Sequence, residues 1–222
     1  MLEAMNTIQW AELDPDQRHA LLQRPVFDNA GLGSGVAAII NRVRSGGDQA
    51  LLELTSELDG CRPDSIEVSP AEIQAAAGRV SEDLKAALED AAYRIRLFHE
   101  ADKPAASRVE TAPGLVCEVR YQPLSPVGLY IPGGSAPLVS TVMMLAIPAV
   151  LAGCRDIVMC SPPGRNGAIA DEILAAAQFC GVTRVFQAGG AQAVAAMAYG
   201  TETVPRCAKI FGPGNSWVTE AK

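Results

Sequence analysis

Tyr130-Ile131-Pro132-Gly133-Gly134-Ser135-Ala136-Pro137 follows a short apolar run and precedes a helical pattern. Two later stretches repeat the arrangement: Gln187-Ala188-Gly189-Gly190-Ala191-Gln192-Ala193 and Ile210-Phe211-Gly212-Pro213-Gly214-Asn215. In a parallel sheet, strands that alternate with helices all end on one edge. Ligands bind in the crevice at that edge, where turns meet helix N-termini. Three separated glycine turns therefore point toward one small molecule.

Working outward from these turns, the sequence predicts strands at Val127–Ile131, Asp156–Cys160, Arg184–Phe186 and Lys209–Phe211. Helices are expected at about Leu138–Ala152, Ala168–Cys180 and Ala191–Tyr199, with a last one from Ser216. Such alternation gives an α/β fold, with a parallel sheet covered on both faces. Pro148 is expected to kink or split its helix. Upstream, residues 26–105 read as mostly helical. Val36, Ile39, Ile40 and Val43 recur at helical spacing up to Gly46-Gly47. Asp48 opens a second face of Leu51, Leu54, Thr55 and Leu58 before Gly60. Ser69-Pro70-Ala71-Glu72 reads as a capping box. Ser81 opens a long amphipathic helix with Leu84, Leu88, Ala91, Ile95 and Phe98 on one stripe. Residues 106–122 read as a hairpin turning at Ala112-Pro113-Gly114. Residues 1–25 read as an arm with a helix started by Asp14-Pro15-Asp16 and stopped by Arg24-Pro25.

Composition narrows the function. The 222 residues are 49% hydrophobic and 19% charged, which favours a packed core over disorder. A net charge of −7 argues against a sequence-independent grip on nucleic acid. It leaves a nucleotide ligand open, because helix N-termini hold phosphate without lysines. Cys61, Cys117, Cys154, Cys160, Cys180 and Cys207 form no CxxC, and read as buried thiols of a reducing, cytoplasmic compartment rather than metal ligands. The stretch Met1–Met5 is no secretory signal. The uncharged span between Arg120 and Arg155 is broken by Pro123, Pro126, Pro132, Pro137 and Pro148, so it reads as buried strand, turn and helix, not a membrane span.

A glycine turn lets backbone approach a ligand closely, and the N–H groups at the next helix start favour an anion. That is the physical case for a dinucleotide pyrophosphate; the plainer reading is that the glycines only make tight turns. No GxGxxG follows a strand and no GxxxxGK[ST] occurs. Tyr130 is suited to stacking on a ring or hydrogen-bonding it. Gln192 and Asn215 bring amide donors and acceptors to helix starts, although Asn215 also suits a cap and Gln192 a backbone partner. His19 and His99, the two histidines, lie in helical stretches far from the turns. Glu172 and Glu202 stand near helix starts, where carboxylates are ordinary. No Ser-His-Asp, Cys-His or zinc-binding set is present in these turns.

The same turns resemble those of histidinol dehydrogenases. The matching stretches are Gly128–Pro137, Cys160-Ser161-Pro162-Pro163, Ala170–Leu174, Gly189–Ala193, Gly200-Thr201-Glu202 and Lys209–Asn215. The resemblance is strong from about Arg120 to Lys222 and looser before it. It implies NAD- and zinc-dependent homodimers that oxidise L-histidinol to the aldehyde and then to L-histidine. It implies that Tyr130, Gln192 and Asn215 contact NAD. Family members are about twice this length. The resemblance therefore places the zinc ligands, the catalytic Glu-His pair and the substrate-gripping residues beyond Lys222, with none in this chain. The segment that completes the first domain's sheet is likewise expected downstream.

The resulting expectation is a helical N-terminal region followed by an incomplete Rossmann-like domain with a parallel sheet. Residues 1–25 are the arm, 26–125 a first, incomplete α/β domain, and 126–222 a Rossmann-like NAD-side domain. The last helix reaches Lys222 with no glycine or proline stop, which reads as a truncated, cofactor-side half that is inactive alone. A stand-alone NAD-binding or vestigial module is the alternative.

Overall fold

The structure is a computed structural model that describes residues 7–23, 31–134, 136–182 and 184–222. The chain divides into two units, Met1–Gly31 and Leu32–Lys222. In the first, a single 3-10 turn at Trp10–Glu12 precedes helix α1 (Pro15–Leu22). The Asp14 carboxylate accepts the Gln17 N–H at 2.8 Å, and the Gln17 side chain accepts the Asp14 N–H at 3.1 Å. Asp14 is thus a reciprocal cap, with Pro15 at the first helical position. The expected Arg24-Pro25 stop lies outside the described residues.

The second unit begins with α2 (Leu32–Asp59), β1 (Glu67–Val68), α3 (Pro70–Arg79), α4 (Glu82–Ala101), β2 (Ser107–Ala112) and β3 (Leu115–Val119). It continues with β4 (Val127–Tyr130), α5 (Val139–Leu151), β5 (Ile157–Ser161), α6 (Asp171–Phe179), β6 (Arg184–Gln187), α7 (Gly190–Tyr199), β7 (Lys209–Phe211) and α8 (Ser216–Ala221). The main sheet has the order β1-β6-β5-β4-β7. Its four long-predicted strands pair in parallel. β1, which the helical reading of this region missed, adds an antiparallel edge. The Arg184 guanidinium donates to both Glu67 carboxylate oxygens, at 2.9 and 3.0 Å, and ties that edge to β6.

Side chains alternate across a strand, so each strand feeds two cores. Val127 and Leu129 of β4, with Ile131 just beyond it, join Ile157, Met159 and Val185 in a core covered by α3, α4, α5 and α6. Tyr130, Val158, Cys160 and Phe186 point the other way, into a core closed by α2, α7 and Val218 of α8. The sheet is therefore covered on both faces, as the alternation of strands and helices predicts, except at β7, whose Lys209 and Phe211 stay exposed.

Several local expectations acquire geometry. α2 turns at Gly47 (φ 53, ψ −137), where an added Cβ would strike the Glu202 carboxylate. That carboxylate accepts the Asp48 N–H at 2.8 Å, and the Asp48 side chain accepts from Thr203 in return. Ser69 and Ser81 cap α3 and α4 by accepting the N–H of Glu72 and Leu84, but the Glu72 carboxylate accepts from Arg79 and leaves the expected capping box half made. The hairpin β2–β3 forms with both faces exposed.

Other expectations fail. α5 runs through Pro148 to Leu151 without splitting. Pro148 sits in the final turn, so the helix loses one bond, to the carbonyl of the exposed Met144, and ends soon after. Phe98 is 68% exposed and leaves the predicted stripe, whose Leu88 is buried beside Ala92 while Leu84, Ala91 and Ile95 pack against the core. The cysteines are all free, but only Cys160, Cys180 and Cys207 are buried; Cys117 is exposed because its ribbon has no cover.

Candidate functional site

Strands β4, β5 and β6 step one way across the sheet, with α5 and α6 on one face. The chain then crosses back through α7 on the other face and lays β7 beside the far edge of β4. The order therefore reverses between β4 and β7. In open α/β sheets that switch point leaves a crevice at the carboxyl ends of the strands.

A cavity of about 680 Å³ lies there. Tyr130 from the end of β4, Gln192 from the start of α7 and Asn215 after β7 all line it. The three polar residues picked out from three separate turns are thus brought to one place. Gly133, Gly134, Pro162 and Pro163 form part of the wall, and Gly35, Ile39 and Asp59 of α2 face them with Trp217 of α8. Ser135 of the first turn lies outside the described residues.

Each polar side chain already has a structural bond. The Tyr130 hydroxyl accepts the Gly190 N–H at 3.0 Å. Burial raises the Tyr130 phenol above its ordinary pKa, the Gly190 bond opposes this, and nearby Asp59 and Cys160 add to it. The Asn215 side chain accepts the Val218 N–H at 3.1 Å and caps α8. Gln192 is 1% exposed; its Nε2 donates to Asp59 Oδ2 at 3.2 Å, and its Oε1 has no hydrogen-bond partner among the described residues. Burial raises the Asp59 carboxyl above the usual carboxylate value, and the Gln192 bond partly offsets this.

Glycines keep the wall close to backbone. A Cβ on Gly133 or Gly189 would stand 2.6 Å from Pro162 side-chain carbons. Gly190 has φ 57, and a Cβ there would meet Gln192 Oε1 at 2.5 Å. At Gly212 (φ 137) a Cβ would collide with the Tyr130 carbonyl. Such a cradle admits a flat or elongated ligand against main chain, next to the N–H groups that open α7.

Sequence reasoning missed Asp59. An aspartate before a helix-ending glycine looks ordinary, and its importance comes from a bond to a residue 133 positions away. Neither histidine lines the cavity; His99 borders a different, apolar one. Among the described residues no group of three His, Cys, Asp or Glu is placed to hold a metal ion. No helix among them is long and apolar enough to cross a membrane.

Fold and site together define an α/β protein whose ligand cavity opens at the switch point of a mainly parallel sheet. The chain belongs to the histidinol dehydrogenase family, whose model matches residues 22–222. It is 54% identical to the histidinol dehydrogenase of Photobacterium profundum over 219 residues, 98% of this chain and 48% of that protein. The Aliivibrio fischeri histidinol dehydrogenase is 53% identical over 98% of this chain and 49% of its own length. The crystal structure of histidinol dehydrogenase from Elizabethkingia anophelis superposes with a TM-score of 0.89 at 42% identity, over 95% of this chain and 48% of that one. The chain thus spans about half the length of the relatives it matches.

Proposed function

We propose that this chain is the cofactor-side half of an NAD-dependent histidinol dehydrogenase. The observation that carries the reading is the convergence of Tyr130, Gln192 and Asn215 on one cavity at the switch point of the sheet. Family membership supports the substrate, L-histidinol, and the two successive oxidations, through L-histidinal to L-histidine, that end histidine biosynthesis.

The cavity suits NAD on its own terms. Its volume falls within the range of small-molecule and cofactor sites. The unpartnered Oε1 of Gln192 provides an acceptor, and the glycine wall allows close approach. In this reading Tyr130, Gln192 and Asn215 orient the rings and riboses of the bound dinucleotide. NAD, when bound, supplies the hydride acceptor for each oxidation. The described residues do not fit a zinc site, so no step is assigned to a metal here. The zinc ligands, the proton-handling Glu-His pair and the second subunit of a homodimer belong, in this reading, to the complete family enzyme. The NAD side is built, in this reading, on the sheet within residues 126–222, and Gly35, Ile39 and Asp59 of α2 close one wall of its cavity. A cytoplasmic setting is supported by six free cysteines, three of them buried.

Calorimetry on the purified 222-residue chain tests the reading, alongside a histidinol oxidation assay on protein from a host lacking its own enzyme. NAD binding at millimolar concentration without turnover is the expected result. No NAD binding overturns the cofactor assignment. Oxidation at a normal enzymatic rate overturns the division of the site between halves.

A further inference from the structure

Among the described residues that line the cavity, Asp59 is the one charged group; no lysine, arginine or histidine joins it. Among the described residues, Gln192 is the one donor to its side chain. A glutamine amide has two faces, a donating NH2 and an accepting oxygen. Turned the other way, Gln192 would set its oxygen against the carboxylate. Asp59 therefore fixes the amide, and the Gln192 Oε1 is left as a buried acceptor without a donor. Gly190, with no side chain, leaves room beside that oxygen. An unpaired buried acceptor carries a desolvation cost that a ligand donor removes.

We propose that Asp59 and Gln192 form an acceptor-only corner of this cavity, which selects one hydrogen-bond donor of its ligand: the adenosine 2′-hydroxyl, the adenine amino group or the carboxamide amino group. The inference deepens the NAD reading and rests on it for the ligand. Asp59 acts both as an acceptor and as the positioning residue for Gln192. A carboxylate with no cation beside it also disfavours a phosphate in this corner.

The test is an NMR titration of the 222-residue chain with NAD and three relatives, each altered at one donor. Nicotinamide hypoxanthine dinucleotide lacks the adenine amino group. 3-Acetylpyridine adenine dinucleotide lacks the carboxamide N–H. NADP carries phosphate in place of the adenosine 2′-hydroxyl proton. One of the three is expected to bind about tenfold or more weakly than NAD. Asp59→Asn, neutral and of the same shape, is expected to weaken NAD by about tenfold and to bind that one analogue no more weakly than the wild type does. A loss shared equally by NAD and all analogues would make Asp59 merely structural and overturn the proposal. So would wild-type discrimination that survives in Asp59→Asn, or analogues that all bind as NAD does.

Absence of NAD binding in the wild type defeats the dinucleotide reading alone. The corner is then judged by the Gln192 side-chain amide resonances. They are expected to shift as Asp59 titrates and to lose that dependence in Asp59→Asn; resonances indifferent to pH overturn it.

Discussion

The phenol oxygen of Tyr130 accepts the backbone N–H of Gly190 at 3.0 Å, so the end of β4 is pinned to the first residue of α7. Two turns that are 60 positions apart become one wall. Tyr130→Phe removes only the acceptor and strands that N–H in a half-buried place. It should cost about 0.5–1.5 kcal/mol in urea unfolding. In a full-length family enzyme carrying these residues, Tyr130→Ala should raise the Michaelis constant for NAD more than that for histidinol. Equal changes in both would remove Tyr130 from the cofactor side.

Asn215 combines a structural duty with a proposed binding one, and two variants separate them. Asn215→Ala loses the α8 cap and should destabilise the chain by about 1 kcal/mol. Asn215→Asp keeps an oxygen for the Val218 N–H and should unfold like the wild type. If the ligand uses the amide NH2, both variants bind NAD weakly. Normal NAD affinity in Asn215→Asp would leave the residue as a cap alone.

Gly190 and Gly181 share positive φ, 57 and 81, but differ in surroundings. A Cβ at Gly181 meets nothing within 4 Å, whereas one at Gly190 meets Gln192 Oε1 at 2.5 Å. Gly181→Ala should therefore cost only the backbone penalty, about 1–2 kcal/mol. Gly190→Ala should cost more and should also weaken NAD. Equal thermal destabilisation of the two would show that Gln192 gives way freely.

Burial pushes the Cys180 and Cys207 thiols up to about 11, and Cys160 higher still. Unfolded thiols ionise near pH ~8.5. Above that value the folded chain holds more protons than the unfolded one, so stability is whole below about pH 8.5 and falls as pH rises toward 11. Urea midpoints measured across this range should decline, and Cys160→Ala should flatten the decline. At pH 8 an alkylating reagent should label the exposed Cys117 first and Cys160 only on unfolding.

The sheet was legible because burial on two faces leaves continuous apolar strands. Val127-Gly128-Leu129-Tyr130 and Ile157-Val158-Met159-Cys160 each carry a core residue on both sides, and glycine turns punctuate their ends. Tyr130, Gln192 and Asn215 could be chosen because each stands at such a turn. β1 was not legible: two residues set no period, and its pairing rests on Arg184 and Phe186 far along the chain. Asp59 was hidden for the same reason. Pro148 misled because a proline rule for helix interiors weakens in a last turn, where few hydrogen bonds remain to lose. Phe98 misled because helical spacing shows which residues share a face and not how far the neighbouring helix extends.

The reversal of strand order also governs timing. During synthesis β4, β5 and β6 leave the ribosome in succession and can pair as they appear. The neighbour on the other flank of β4 is made only after these three and after α7. At about 5–20 residues per second, the stretch from α7 to Asn215 takes a few seconds to emerge. Throughout that interval Tyr130 and Gly190 can meet, yet the pocket has no Asn215 and no Trp217. On the NAD reading, a nascent chain paused before β7 presents an unfinished pocket and should not hold nucleotide.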